Sequence, residues 1–320
     1  LLYHFADSNA DRQLPDSGVI DLAAYGVAYS LALIIEAPII MIMSASVALV
    51  KSKDSFLKLR NYTYVANGIL TLIMLILVIT GIFYFITEDL IGLPSEVSSL
   101  THFATIILIP WPAAIGYRRF YQGLLIKNNF TRRVAYGTII RLASMSLSAL
   151  LLFICVNVDG VVIGAASLSI GVIMEAAASR FMVNSIIKKV KLIDSSASQS
   201  LTYNEITKFY YPLALTSLIG LGVQPLVIFF VGQSRMAVES LAVLPVVTSF
   251  VFVFRALGLS YQEVIIALIG EQKEGFKLLF KFALFLGGIL ISILALFAFT
   301  PLADFWFMTV SGLSFSLADF

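Results

Sequence analysis

The sequence contains little of what soluble enzymes and secreted scaffolds use. Its 320 residues include one cysteine and two histidines, and only 12% of the residues are charged. The lone Cys155 excludes an intrachain disulfide. The formal net charge of +2 is too small to indicate a nucleic acid or another polyanion as a partner.

Motifs for enzymatic chemistry are missing as well. The sequence has no G-x-x-x-x-G-K loop, no H-E-x-x-H and no G-x-S-x-G turn, so neither an ATPase nor a metal hydrolase is indicated. An intramembrane enzyme would need a converging nucleophile and base, and we find no such pair. We therefore expect no catalytic residue, no bound metal and no cofactor, and a proton or sodium gradient as the energy source.

Apolar residues make up 59% of the chain, which is more than a soluble domain can bury. Runs of about 20 apolar residues are long enough to cross a bilayer as helices. Such runs predict eight spans at about 20–50, 62–86, 100–117, 134–156, 161–187, 206–231, 241–270 and 278–299.

Charged residues between the spans predict the orientation. Lysine and arginine concentrate in alternate connections, which are 51–61, 118–133, 188–205 and 271–277, while acids dominate the others. Because basic loops stay on the cytoplasmic side, we predict that these four segments are cytoplasmic in a multi-pass plasma-membrane protein, or an inner-membrane protein in a bacterium.

An internal repeat divides the chain. An offset of 219 residues places Ala37 on Ala256, and one inserted residue later Gly68 falls on Gly288. Residues 1–8 match 227–234 in the same way, which predicts that the chain begins inside the end of span one. We predict an N-terminal lobe (1–191), a serine-rich cytoplasmic linker (192–205) and a C-terminal lobe (206–320) that is visible up to span nine of twelve.

The fold class is then an all-α integral membrane protein with two parallel six-helix lobes, related by a pseudo-twofold axis along the membrane normal. This arrangement resembles the superfamily of multidrug and toxin extruders and polysaccharide flippases. Within it, residues 22–31 (LAAYGVAYSL), 210–215 (YYPLAL) and 127–131 (KNNFT), with Gly137, Thr138 and Arg141, are similar to the progressive ankylosis type.

The resemblance implies a transporter that works by alternating access. Ankylosis-type members are associated with export of small anions such as pyrophosphate, citrate or nucleotides, whereas extruders exchange organic cations for protons or sodium. Anion export, cation antiport and flipping of a lipid-linked sugar remain the three transport alternatives. We expect a monomer in the lipid bilayer with a small-molecule substrate.

Charged residues inside the spans are the candidate site, because each costs at least about 2.5–3.5 kcal/mol at mid-bilayer. Glu36 and Arg255 both lie about 21–22 Å from their cytoplasmic helix ends, near the midplane. The repeat superposes them. We predict two cavity-lining stripes, Tyr25, Tyr29 and Glu36 on one lobe and Thr248, Arg255 and Gln262 on the other.

Glu36 and Arg255 would form a gate pair or contact the substrate, and a static ion pair within one lobe is the alternative. Glu175 is also deep, whereas Arg141 and Arg180 lie only about 10 Å from their helix ends. These arginines either line a basic vestibule or extend to the interface. Gln224 is the polar residue of span 206–231. Five prolines, Pro38, Pro110, Pro112, Pro225 and Pro245, should bend spans and free carbonyl groups.

Overall fold

The computed structural model describes residues 15–156, 158–192, 201–268 and 275–311, and every regular element in these ranges is helical. Eight helical segments of the described chain are long and apolar enough to cross a membrane, so the prediction of a helical membrane protein with eight such spans is confirmed. Packing separates two units, one up to residue 241 and one from residue 242 onward.

The helices follow one another with short connections. They are α1 (Pro15–Ile40), α2 (Ile42–Leu49), α3 (Lys53–Ile79), the short α4 (Ile82–Tyr84), α5 (Ser95–Ile107), α6 (Trp111–Lys127), α7 (Thr131–Cys155), α8 (Gly160–Met182), α9 (Asn184–Leu192), α10 (Tyr203–Gly232), α11 (Ala237–Leu268), α12 (Phe276–Ala298) and the short α13 (Leu302–Asp304). The boundary between the two units falls inside α11.

Three predicted loops are shorter than expected. Residues 118–127 belong to α6, so the connection predicted at 118–133 is reduced to 128–130, and most of 51–61 belongs to α3. The segment 188–192 is part of α9, while 193–200 and 271–274 lie outside the described residues. The loop prediction was wrong at Arg118 because charged residues were assigned to water, whereas this arginine is buried against a carboxylate.

Pro38 lies where the first span breaks, with α1 ending at Ile40 and α2 beginning at Ile42. The carbonyl groups near this break find partners on α10. The Ser217 hydroxyl donates to Ala37 O over 2.6 Å, and the Tyr210 hydroxyl donates to Pro38 O. Side-chain donors thus reach carbonyl groups beside Pro38, while the loss of helix hydrogen bonds at this proline stays a prediction.

Pro110 marks the second break, between α5 and α6, where it precedes the first residue of α6. Ser169 on α8 donates its hydroxyl to Ile107 O over 3.0 Å at the end of α5. Pro225 and Pro245 lie inside the continuous helices α10 and α11. Helix breaks thus occur in the α1–α2 and α5–α6 segments, which also supply residues of the site described below.

Ser217 provides a direct test of this carbonyl capture. Replacing it with alanine removes the donor to buried Ala37 O, so we expect the free energy of unfolding to fall by about 1 kcal/mol. Thr216→Ala is the matched control, since the exposed Thr216 hydroxyl bonds only within its own helix. Thermal denaturation of the purified protein in detergent measures both, and equal losses would contradict the assignment.

The same local geometry occurs twice, 220 residues apart. The Thr80 hydroxyl donates to Ile76 O over 2.8 Å, and the Thr300 hydroxyl donates to Leu296 O over 2.6 Å. Each threonine is followed by a three-residue helix (α4 or α13) and a π-helical turn, Phe85–Leu90 or Phe305–Val310. This recurrence has the offset that the sequence comparison predicted, while the arrangement of two lobes about a twofold axis stays a prediction.

The lobe boundary also stays a prediction. Of the serine-rich segment at 192–205, residues 193–200 lie outside the described residues. The helix that follows it, α10, packs on α1 within the first unit through Tyr210 and Ser217. These contacts are compatible with the prediction that α10 belongs to the C-terminal lobe and faces α1 of the N-terminal lobe.

Candidate functional site

Helix α6 packs closely against the α1–α2 segment because two of its residues have no side chain. A Cβ atom at Gly123 would lie 2.6 Å from Met43 O, and one at Gly116 would overlap the side chains of Asn67 and Ile39. Between these glycines, the Ser46 hydroxyl donates to Phe120 O over 2.9 Å. This face holds α6 in place and turns Arg118 and Gln122, four residues apart, to another side.

That other side of α6 meets Glu175 of α8. The Arg118 guanidinium pairs with Glu175 Oε2, and Gln122 Nε2 donates to Glu175 Oε1 over 3.0 Å. Arg141 Nη1 of α7 lies 4.0 Å from the same Oε2. Gly171 lets α7 approach α8, because a Cβ atom there would overlap Met145. Glu175 is buried, at 1% exposure, and each of its two carboxylate oxygens accepts a hydrogen bond.

Glu36 of α1 is the second buried carboxylate, at 4% exposure. The charges of Arg118, Arg119 and Arg141 act on it, with Arg118 the strongest of the three. Its Oε2 has no hydrogen-bond partner among the described residues. We call Glu36, Arg118, Arg119, Gln122, Arg141 and Glu175 the charge cluster.

Three aromatic rings stand beside the charge cluster. Tyr25 stacks on Tyr29 with ring centroids 6.1 Å apart, and Tyr29 stacks on Trp111 at 5.2 Å. Gly164 of α8 leaves room for the Tyr25 ring, because a Cβ atom there would lie 3.1 Å from it. The Arg141 charge acts on both tyrosines, so the stack and the charge cluster form one site.

The structure brings the predicted stripe of Tyr25, Tyr29 and Glu36 next to Arg141 and Glu175, which the sequence proposed separately. Arg180 is placed elsewhere. It lies over the Tyr121 ring, 5.4 Å from the centroid, and donates to Asn184 Oδ1 at the end of α8. Whether this arginine lines a basic vestibule or extends to the interface stays a prediction.

The second predicted stripe, formed by Thr248, Arg255 and Gln262, lies on α11. Arg255 is exposed and Thr248 is half-buried on α11, in the second unit. Gln262 also belongs to α11, but its side chain lies outside the described residues. Gln224 is half-buried on α10. Pairing of Glu36 with Arg255 stays a prediction.

Sequence reasoning missed Arg118, Arg119, Gln122 and Trp111. Arg118 was assigned to a cytoplasmic loop, although 113–127 contains no proline and no acid that would end a helix there. The four-residue spacing of Arg118 and Gln122 was the available signal, because it places both on one helix face. Their common partner, Glu175, is distant in sequence and no local pattern connects them.

The arrangement suits anion binding rather than metal binding. In the part of the chain that the structure describes, no group of three histidine, cysteine, aspartate or glutamate side chains could hold a metal ion. The charge cluster has three guanidinium groups and two carboxylates. Arg141 is partly accessible, with 27% of its side chain exposed. Guanidinium groups bind carboxylate and phosphate oxygens in pairs.

A known protein family matches the part of the chain that contains this site. No match to the chain was found among curated proteins or among solved structures. The family model described as progressive ankylosis protein (ANKH) matches residues 13–254, which contain the whole charge cluster and the aromatic stack. Because this match covers most of its length, the chain belongs to the progressive ankylosis protein family, a family of membrane transport proteins.

Proposed function

We propose that the protein is a secondary-active transporter that exports a small multivalent anion, of the pyrophosphate or citrate kind, by alternating access between two lobes. It acts as a monomer in the plasma membrane, with the basic connections on the cytoplasmic side. The observation that carries the proposal is the charge cluster, in which Arg118 is paired with Glu175 while Arg141, in a helix long enough to cross a membrane, is partly exposed and only weakly paired.

Arg141 is the anion-binding group in this proposal. Arg118 is already paired with Glu175, whereas Arg141 is only at the limit of an ion pair with it and is partly exposed. An anion that displaces this weak contact gains a charged donor with little reorganisation. The hydroxyl groups of Tyr25 and Tyr29, on which the Arg141 charge acts, supply further donors.

Cation antiport is less well supported by the same geometry. An organic cation needs a carboxylate that is not neutralised by the protein. Glu175 is taken by Arg118 and Gln122, and Glu36 lies in the field of three arginines. The site therefore repels a cation.

Efflux from cells that express the protein tests the proposal. We expect loss of pyrophosphate or citrate from the cells, and Arg141→Gln should lower it about tenfold or more, which corresponds to about 1.4 kcal/mol. Arg132→Gln is the matched control, since Arg132 is an exposed arginine on the same helix.

Both variants should reach the surface in equal amounts. Gradient-dependent efflux of organic cations without anion efflux would overturn the proposal, and so would equal effects of the two arginine replacements.

A further inference from the structure

Two carboxylates of the charge cluster are equally buried but differently partnered. Glu175 receives donors on both oxygens, from Arg118 and Gln122. Glu36 Oε2 receives none among the described residues. A buried carboxylate that lacks donors is costly when ionised and much less so when it carries a proton. The two acids are therefore suited to different roles, one as a fixed counter-ion and one as a proton carrier.

The groups that surround Glu36 come from several helices. The charges of Arg118 and Arg119 act on Glu36 from α6, and that of Arg141 acts from α7. Tyr29 lies about two helical turns before Glu36 on α1 itself. Glu175 of α8 stands behind Arg118, and α10 presents Tyr210, which bonds to Pro38 O next to Glu36. The cations favour the ionised form of Glu36, and the lack of a donor opposes it. Whether Glu36 is ionised or protonated therefore depends on any further charge that enters the charge cluster.

An anion is such a charge. Protonation of Glu36 makes the net charge of the charge cluster more positive by one. An anion bound at Arg141 offsets the arginine field at Glu36, so that proton uptake becomes more favourable. Linkage is reciprocal, and the proton must then strengthen anion binding by the same factor.

We infer that Glu36 takes up a proton when the anion binds, so that the transporter moves its anion together with a proton. This inference rests on the proposed function, because it assumes that the charge cluster binds the anion. It assigns the two carboxylates distinct tasks, with Glu175 holding Arg118 and Glu36 adjusting the charge of the site to that of the cargo.

Calorimetry of the purified full chain tests the inference. Inorganic pyrophosphate is titrated into the protein in two buffers of different ionisation enthalpy at one pH, which gives the number of protons taken up per anion. We expect the unmodified protein to take up about one proton more than Glu36→Gln, which cannot titrate. Since both bind the same anion, protonation of pyrophosphate itself cancels in the difference.

Two further variants make each outcome decisive. Glu96→Gln, at an exposed acid at the start of α5, should match the unmodified protein. Glu36→Asp should retain proton uptake, which covers the case in which Glu36→Gln does not fold. Equal uptake by the unmodified protein and Glu36→Gln, with binding intact, overturns the proton inference alone. Absence of binding for pyrophosphate and for citrate overturns the proposed function and the inference together.

Discussion

Replacing Glu175 with leucine is expected to lower the free energy of unfolding by about 3–5 kcal/mol. The change leaves the Arg118 guanidinium buried without its counter-ion and removes the acceptor of Gln122. A buried charge that loses its paired carboxylate must be hydrated again or distort its surroundings. Thermal denaturation in detergent, followed by tryptophan fluorescence or by loss of the monodisperse peak, measures the effect.

The paired replacement Arg118→Met with Glu175→Leu is the control for this prediction. It removes both charges, and apolar side chains of similar volume often replace a buried ion pair at little cost. We expect the pair to recover most of the stability but not transport, since Arg118 also contributes charge to the site. If the double variant is no more stable than Glu175→Leu, the ion pair is not the source of the loss.

Replacing Gly123 with alanine should cost about 1–3 kcal/mol, although alanine is the better helix former. The new Cβ atom would lie 2.6 Å from Met43 O and 2.6 Å from Ser46 Cβ. Since Met43 O belongs to the backbone, α6 must move away from α2. That movement carries Arg118 away from Glu36 and Glu175, so transport should fall with stability.

Gly68→Ala is the matched comparison for Gly123→Ala. Gly68 is exposed on α3 of the same unit, and a Cβ atom there meets nothing within 4 Å. Here we expect a small gain in helix stability and unchanged transport. A loss at Gly68 equal to the loss at Gly123 would show that close packing of α6 on α2 is not the cause.

Hydropathy predicted the helical class and the spans well because crossing a bilayer demands a long apolar run, which is a local property of the sequence. It failed at 118–127, where the same rule assigned Arg118 to water. A charged residue in a span is compatible with burial only if a partner exists, and Glu175 is 57 residues away along the chain. Local patterns contain no information on such a partner.

Sequence patterns likewise predicted only part of the candidate site. Helix periodicity placed Tyr25, Tyr29 and Glu36 on one stripe, and the structure joins that stripe to Arg141. Periodicity could not identify Arg118 as the strongest cation at Glu36, because that depends on how α6 is rotated. The rotation follows from the contacts of Gly116 and Gly123 with α1–α2, which become evident only in three dimensions.

The carbonyl capture at the α1–α2 break has a consequence for how the protein is made. The donors Tyr210 and Ser217 are 172 and 180 residues downstream of the carbonyls that they satisfy. A nascent chain therefore inserts α1 and α2 into the bilayer long before the ribosome has synthesised their hydrogen-bond partners. Until α10 leaves the translocon, these two carbonyl groups lack the side-chain donors of α10, so the early spans complete their packing only after a much later one arrives.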